Sequence, residues 1–272
     1  MPPAPLLHSR SLAQSFAALH GRGIGLVPFI PAGFPDLTTT QAVLESLNAP
    51  GIAAIEVGFP FSDPIADGPI IQQAFTAALA AKLKVPEIFQ TVQSASPRIS
   101  VPLVAMVSFS IVFRYGPQRF FADARDSGFG GVIIPDLPPP QAQSTCRQIR
   151  DAALDTILLV APTTPLDRRR QIVSLCSGFV YYLSLSGITG VRDHLPPDIL
   201  DNVRQLKSLT DLPICVGFGI SKPQHLAWLA QAADAAVVGS AIVQRMAESA
   251  SAPPAAVAQS VAQFCRQLLG GQ

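Results

Sequence analysis

Eight short runs rich in Val, Ile and Leu, separated by segments with helical periodicity, constrain the fold of this chain more than any other feature. In most of these runs the apolar residues are consecutive and do not alternate with polar ones. Strands that are covered on both faces have this pattern, so the runs predict a parallel sheet flanked by helices. The predicted strands are residues 25–31, 53–57, 103–107, 131–135, 156–160, 179–183, 214–217 and 235–238.

The intervening segments carry apolar stripes at helical spacing; Ile71, Phe75 and Leu79, for example, recur at intervals of four. Eight strands, each followed by a helix, in a chain of 272 residues predict a closed (β/α)8 TIM barrel. Residues 11–19 predict an extra N-terminal helix over the amino-terminal mouth of the barrel. No linker or low-complexity stretch divides the chain, so we expect one domain over residues 1–272.

Composition argues against several classes of partner. Charged residues make up 14% of the chain and the net charge is +1, so neither a nucleic acid nor an anionic membrane is an expected partner. The apolar stretch at 171–191 is interrupted by serines and glycines and does not read as a membrane span. The start of the chain has no apolar signal-peptide core, and four widely spaced cysteines without a CxxC pair favour a cytoplasmic protein.

The second predicted strand ends in a carboxylate, and an unusual loop follows it. Glu56 lies in the otherwise apolar run IEVG, where an ionised side chain is costly to bury. The loop at 58–69 holds three prolines, two glycines, Asp63 and Asp67. Two carboxylates in different surroundings can act as separate acid and base. The alternative is that Asp63 and Asp67 are turn or helix-capping residues.

Glycine-containing loops follow the last three predicted strands, at residues 186–190, 217–220 and 239–241. Glycines let backbone N–H groups approach an anion, and in (β/α)8 barrels a phosphate commonly binds at the loops after strands 7 and 8. The three loops together predict a phosphate site. The GxxxxGK[ST] pattern of nucleotide P-loops is absent.

Missing groups narrow the reaction further. None of the four lysines ends a predicted strand, which argues against a Schiff-base aldolase. The four histidines are scattered and form no HxH or HExxH motif, which argues against a metal enzyme. A barrel with two carboxylates and a phosphate site, but no such lysine or metal, must find its electron sink in the substrate.

Six segments resemble the tryptophan synthase alpha chain family, in the family's order along the chain. They are IEVGFPFSDPIADGPIIQ (55–72), PFIPAGFPD (28–36), GVIIPDLP (131–138), YYLSLSGITGVR (181–192), VGFGIS (216–221) and VGSAIV (238–243). The resemblance implies a lyase of tryptophan biosynthesis that cleaves indole-3-glycerol phosphate to indole and glyceraldehyde 3-phosphate. In this retro-aldol reaction the protonated indole ring accepts the electrons of the breaking bond.

By matched position, the resemblance implies that Glu56 is the general acid and base and that Asp67 accepts the indole N–H. Thr189 matches a threonine of a mobile loop that closes over the substrate, and Asp136 lies in a segment beside the site. The remaining matched positions are those that line the substrate or bind its phosphate, namely Phe29, Tyr181, Gly190, Phe218, Gly219, Gly239 and Ser240.

The resemblance also implies a partner. The family works as an αββα assembly in which the beta chain carries pyridoxal phosphate and receives indole through a tunnel, so no cofactor is expected in this chain. The partner contacts are expected on the loops after strands 2 and 3 and on the IPDLP segment, and Asp63 would then be a contact residue. An apolar rim would serve this contact, formed by Phe59, Phe61, Ile65 and Pro138.

Three positions depart from the family pattern. Ser108 stands where many relatives have an aromatic residue, Ser110 where asparagine is usual, and Pro31 where threonine is common. The first two are expected to change substrate packing or partner contact. Three alternatives to an alpha subunit that delivers indole to its partner are a non-catalytic activator of the beta chain, a phosphosugar isomerase on the same fold and a stand-alone indole-releasing enzyme.

Overall fold

The computed structural model describes residues 11–63, 67–183, 198–217 and 219–270. Its eight parallel strands close into a barrel in which each strand pairs with its neighbours in chain order and the last pairs with the first. The predicted (β/α)8 fold is therefore confirmed. The strands are β1 (Gly25–Pro31), β2 (Ile55–Gly58), β3 (Leu103–Met106), β4 (Phe129–Ile133), β5 (Asp155–Val160), β6 (Val180–Leu183), β7 (Ile214–Gly217) and β8 (Ala235–Val238).

Helices alternate with the strands along the described residues. Several begin at recognisable signals: the Asp36 carboxylate accepts the Thr39 N–H at 2.7 Å at the start of α2, and proline occupies the first turn of others, where its missing N–H costs nothing. The helices are α1 (Leu12–Leu19), α2 (Leu37–Ser46), α3 (Pro69–Ala80), α4 (Val85–Ala95), α5 (Phe109–Tyr115), α6 (Pro117–Ser127), α7 (Pro139–Asp151), α8 (Leu166–Leu175), α9 (Ile199–Lys207), α10 (Pro223–Leu229), α11 (Ser240–Glu248) and α12 (Pro254–Leu269), with a 3-10 turn at Ser96–Arg98.

The fourth strand begins and ends two residues earlier than the sequence predicts. In its pairing with β3 the register shifts between Leu103 and Val104, so that Phe129 and Gly131 pair with them and Gly130 is passed over as a bulge. A glycine pair weakens the apolar pattern on which the prediction of a strand at 131–135 depends, and that prediction was wrong at both ends.

The predicted N-terminal helix is confirmed as α1, which closes the amino-terminal end of the barrel. Leu12 and Phe16 are buried in the same cluster as the inward-facing strand residues, and the Phe16 ring packs on Phe179 with centroids 5.8 Å apart. The Ser15 hydroxyl donates a 2.6 Å hydrogen bond to the Ala53 carbonyl. These contacts fill the lower half of the barrel.

Side chains of a strand alternate between the two faces of the sheet, so residues two apart on one strand share a face. On β1, β3 and β5, Val27, Val104 and Ile157 belong to the interior cluster. Two residues further along these strands, Phe29, Met106 and Leu159 line a cavity. The barrel therefore has a packed lower layer and an open upper layer at its carboxyl-terminal end.

Candidate active site

A cavity of about 290 Å³ opens at the carboxyl-terminal ends of the strands, where the active sites of (β/α)8 barrels lie. Its walls are largely apolar. Among the matched positions it brings together Phe29, Glu56, Asp67, Tyr181, Gly219, Gly239 and Ser240. The other three, Thr189, Gly190 and Phe218, lie outside the described residues, as does the predicted loop at 186–194.

Glu56 is the most unusual polar side chain of the cavity. It lies on β2 between Phe29 of β1 and Val104 of β3 and is 0% exposed. Neither of its carboxyl oxygens has a hydrogen-bond partner in the described part of the chain. Burial raises the pKa of Glu56 well above its ordinary value, which favours the protonated form that can act as an acid.

Asp67 lies just before α3 and is half-buried. Gly68 is the residue that caps α3, so the alternative of Asp67 as the helix cap does not hold. The Gln72 side-chain amide donates a 2.7 Å hydrogen bond to the Asp67 carbonyl and fixes the backbone there. Burial raises the pKa of Asp67 to about 6. Asp67 is therefore more shielded than the polar sequence of its loop indicates, and with this pKa it is mostly ionised at pH 7.

Two glycines make room for aromatic rings of the cavity, and each lies on the strand next to the one that carries its ring. A Cβ atom on Gly217 of β7 would lie less than 3.0 Å from three atoms of the Tyr181 ring, and one on Gly58 of β2 would meet the Phe29 ring equally closely. Each ring therefore lies across the next strand and faces the cavity. The loops predicted at 58–69 and 217–220 begin at these two glycines, but their role in making room for the rings was not predicted; a glycine at the end of an apolar strand is the signal that points to it.

The side of the cavity formed by β7 and β8 carries groups suited to an anion. Gly219 has a φ of +78°, a conformation that side chains other than glycine rarely adopt. Gly239 caps α11, and Ser240 is the first residue of that helix. The positive end of the α11 dipole and its unpaired N–H groups therefore face this part of the site.

A hydrogen-bonded pair on the β3 and β4 side was not predicted as a unit. The Ser108 hydroxyl donates to one Asp136 carboxylate oxygen at 2.7 Å, and the Phe109 N–H donates to the other at 2.8 Å. Ser108 also accepts the Ser110 N–H at 3.3 Å at the start of α5. The departure at Ser108 therefore gives the cavity a polar wall at this point.

The apolar rim proposed from sequence is only partly exposed. Phe59 is 2% exposed, because its ring packs against Phe89, Phe120 and Phe129 in the core. The assignment of Phe59 to the exposed rim was therefore wrong. Phe61 and Pro138 are partly exposed, and Ile65 lies outside the described residues. Two large apolar side chains of the described residues do face solvent, Phe113 of α5, which is 71% exposed, and Leu166 of α8, which is 41% exposed.

The described ranges hold neither a metal-binding cluster nor a membrane-spanning helix. No three His, Cys, Asp or Glu side chains come together there in a group that could hold a metal ion. Within those ranges, too, no helix has the length and apolar character needed to cross a bilayer.

A closed parallel barrel with a buried acid at its carboxyl-terminal edge places the protein in the class of (β/α)8-barrel enzymes. The sequence profile of the tryptophan synthase alpha chain family matches residues 16–269. The tryptophan synthase alpha chain of Rhodopirellula baltica is 41% identical, covering 94% of this chain and 96% of its own, and that of Chloroflexus aurantiacus is 39% identical, covering 95% and 97%. The solved tryptophan synthase A-subunit of Pyrococcus furiosus superposes with a TM-score of 0.83 at 35% identity, covering 90% of this chain and 98% of its own.

The chain belongs to the tryptophan synthase alpha chain family.

Proposed function

We propose that this protein cleaves indole-3-glycerol phosphate to indole and glyceraldehyde 3-phosphate, as a lyase of tryptophan biosynthesis. The observation that carries the proposal is the state of Glu56, a carboxylic acid that is fully buried, unpaired among the described residues and part of the cavity lining. An orphaned buried acid is costly for the fold, and such costs are tolerated where the group serves a reaction.

The reaction needs one proton at the indole ring and removes one from the glycerol chain. Glu56 protonates indole C3, which leaves a positive charge on the ring nitrogen, and the Asp67 carboxylate accepts the N–H and stabilises that charge. The bond between C3 and the first glycerol carbon then breaks, and its electron pair restores the aromatic indole. The hydroxyl of that carbon loses its proton to Glu56 as the aldehyde forms, so the enzyme returns to its starting state.

The phosphate end of the substrate is proposed to lie against β7 and β8. Gly219, Gly239 and Ser240 offer backbone N–H groups, a hydroxyl and the α11 dipole for the dianion. Gly190 and Thr189 are assigned to phosphate binding and loop closure, and Phe218 to the substrate wall, from the family resemblance. Phe29 and Tyr181 form the aromatic walls of the middle of the site.

The electron sink of this mechanism is the substrate's own ring, so the steps use only side chains of this chain. The proposed partner is the beta chain of the family, which holds pyridoxal phosphate and consumes indole in an αββα assembly. The surface that suits it is α5, where the exposed Phe113 ring and the Phe109 ring have centroids 6.2 Å apart. Asp63, exposed at the cavity mouth, is assigned to the same contact.

The cytoplasm is the proposed compartment. All four cysteines are free thiols, and Cys146, Cys215 and Cys265 are buried. Reduced and buried thiols suit a reducing compartment.

The decisive experiment measures indole released from indole-3-glycerol phosphate by the purified protein, with and without a beta chain. Glu56→Gln keeps the shape of the side chain and removes the acid, so it is expected to bind substrate and release no indole above background. Asp201→Asn on the exposed side of α9 is the matched control and is expected to keep full activity. Near wild-type turnover by Glu56→Gln would remove Glu56 from the mechanism, and absence of indole in every condition would overturn the proposed reaction.

A further inference from the structure

The cavity contains a polar pair that the proposed reaction does not use. Ser108 and Asp136 both line it, on the wall formed by the ends of β3 and β4. The side chains around them on the same wall are apolar, Met106 and Pro135 among them. A hydroxyl and a carboxylate on an otherwise apolar wall can form hydrogen bonds with a ligand that lies against it.

The pair is held in a fixed geometry. Asp136 accepts the Ser108 hydroxyl at 2.7 Å and the Phe109 N–H at 2.8 Å, one on each carboxylate oxygen. Each of those oxygens has a second acceptor site, because an ionised carboxylate offers about four in all. Ser108 is only 9% exposed, so its orientation is set by the protein. The pair can therefore accept a hydrogen bond from a ligand without rearranging.

The order of strands in the barrel indicates which part of the substrate meets this wall. On the proposed function, the phosphate lies at β7 and β8 and indole C3 lies at Glu56 on β2. In a closed barrel of eight strands, β3 and β4 lie opposite β7 and β8. The glycerol chain joins the phosphate to C3, so the rest of the indole extends away from the phosphate, and its benzo ring faces Ser108 and Asp136.

We propose that Ser108 and Asp136 form a subsite for a small hydrogen-bond donor on the benzo ring, so that the enzyme processes hydroxy- or amino-substituted indole-3-glycerol phosphates in preference to apolar analogues of the same size. The hydroxyl or amino group of the substrate donates to the Asp136 carboxylate. Asp136 is exposed to solvent, and water competes for it. The expected preference is therefore about tenfold, far below that of a fully enclosed polar site.

The test runs the reaction in the direction of synthesis, with glyceraldehyde 3-phosphate and substituted indoles. Each of the four hydroxyindoles with the hydroxyl on the benzo ring is compared with the methylindole substituted at the same carbon, which has a similar volume and no donor. The measured quantity is the ratio of the two kcat/KM values at each ring position. We expect this ratio in the wild type to exceed its value in Ser108→Ala and Asp136→Asn by about tenfold at one position at least.

Three variants separate the subsite from general effects on the enzyme. Ser108→Ala and Asp136→Asn are expected to lower the hydroxy-to-methyl ratio, whereas Ser108→Thr, which keeps the hydroxyl, is expected to preserve it. Ser144→Ala, an exposed hydroxyl deletion on α7, is the matched control. Because each ratio is compared between variants, the intrinsic reactivity of the two indoles cancels.

An unchanged ratio in both Ser108→Ala and Asp136→Asn at every ring position would overturn the subsite. Turnover of unsubstituted indole in the same assay reports the proposed function separately. If indole itself reacts while the ratio stays flat, the reaction stands and the subsite is wrong. If indole does not react, the proposed function fails first, and the subsite, which rests on it, fails with it.

Discussion

Replacement of Glu56 by methionine is expected to stabilise the protein and to abolish its activity. Both carboxyl oxygens are buried without a partner among the described residues, and an unsatisfied buried polar group costs about 1–3 kcal/mol. Methionine has a similar length and leaves no polar atom unpaired. In a domain of this size about 1 kcal/mol shifts the melting temperature by ~2–4 °C, so a rise of about 2–12 °C is expected. The assay is thermal unfolding followed by circular dichroism.

The pH dependence of this stabilisation identifies its cause. Burial raises the pKa of Glu56 in the folded state above its unfolded value of about 4.3, so the folded state holds the proton longer. As the pH rises through that window, ionisation favours the unfolded wild type, and its stability falls by at most ~1.4 kcal/mol per pH unit. The gap between Glu56→Met and wild type should therefore widen from pH 4 towards neutrality.

Glu56→Gln serves as the control, because it stays polar but does not titrate at this position. Its gap to Glu56→Met should stay constant with pH. A lower melting temperature for Glu56→Met, or a gap to wild type that narrows as the pH rises, would show that the carboxyl is satisfied in the folded protein and would refute the reasoning.

Three further predictions concern the walls and the surface of the site. Because burial raises the pKa of Asp67 to about 6, kcat/KM should fall as the pH drops below about 6, and this acidic limb should be missing from the residual activity of Asp67→Asn in a pH–rate profile. Gly217→Ala places a Cβ against the Tyr181 ring and should cost about 1–3 kcal/mol in urea unfolding. That cost should largely vanish in a Tyr181→Ala background, and simple additivity of the two changes would contradict it. Phe113→Ser should change the free energy of unfolding by no more than about 0.5 kcal/mol, since the ring is exposed, yet weaken the stimulation of indole release by a beta chain.

The barrel is predictable from the sequence because its strands are covered on both faces. Such strands need continuous apolar runs, and the runs at 25–31, 214–217 and 235–238 match β1, β7 and β8 in full. The fourth strand shows where the rule weakens, since its glycines and its bulge depend on how β3 lies beside it. The sequence of the fourth strand does not show how β3 lies beside it.

The active site, like the barrel, is only partly predictable from the sequence. Glu56 stands out from sequence because a carboxylate is rare in an apolar strand, and the cavity contains it. The shielding of Asp67 depends on what surrounds its loop in three dimensions, so its raised pKa could not be read from a polar loop sequence. The Ser108 and Asp136 pair joins residues 28 apart in the chain, and only folding brings them together.

Helix α1 affects how substrate and products reach and leave the active site. Leu12 and Phe16 pack into the amino-terminal end of the barrel, and the cavity of the described residues opens at the opposite end. The substrate enters and both products leave through this opening of the cavity. A protein bound over that opening controls the order in which substrate and products pass. Indole released beneath such a partner meets the partner before it meets bulk water.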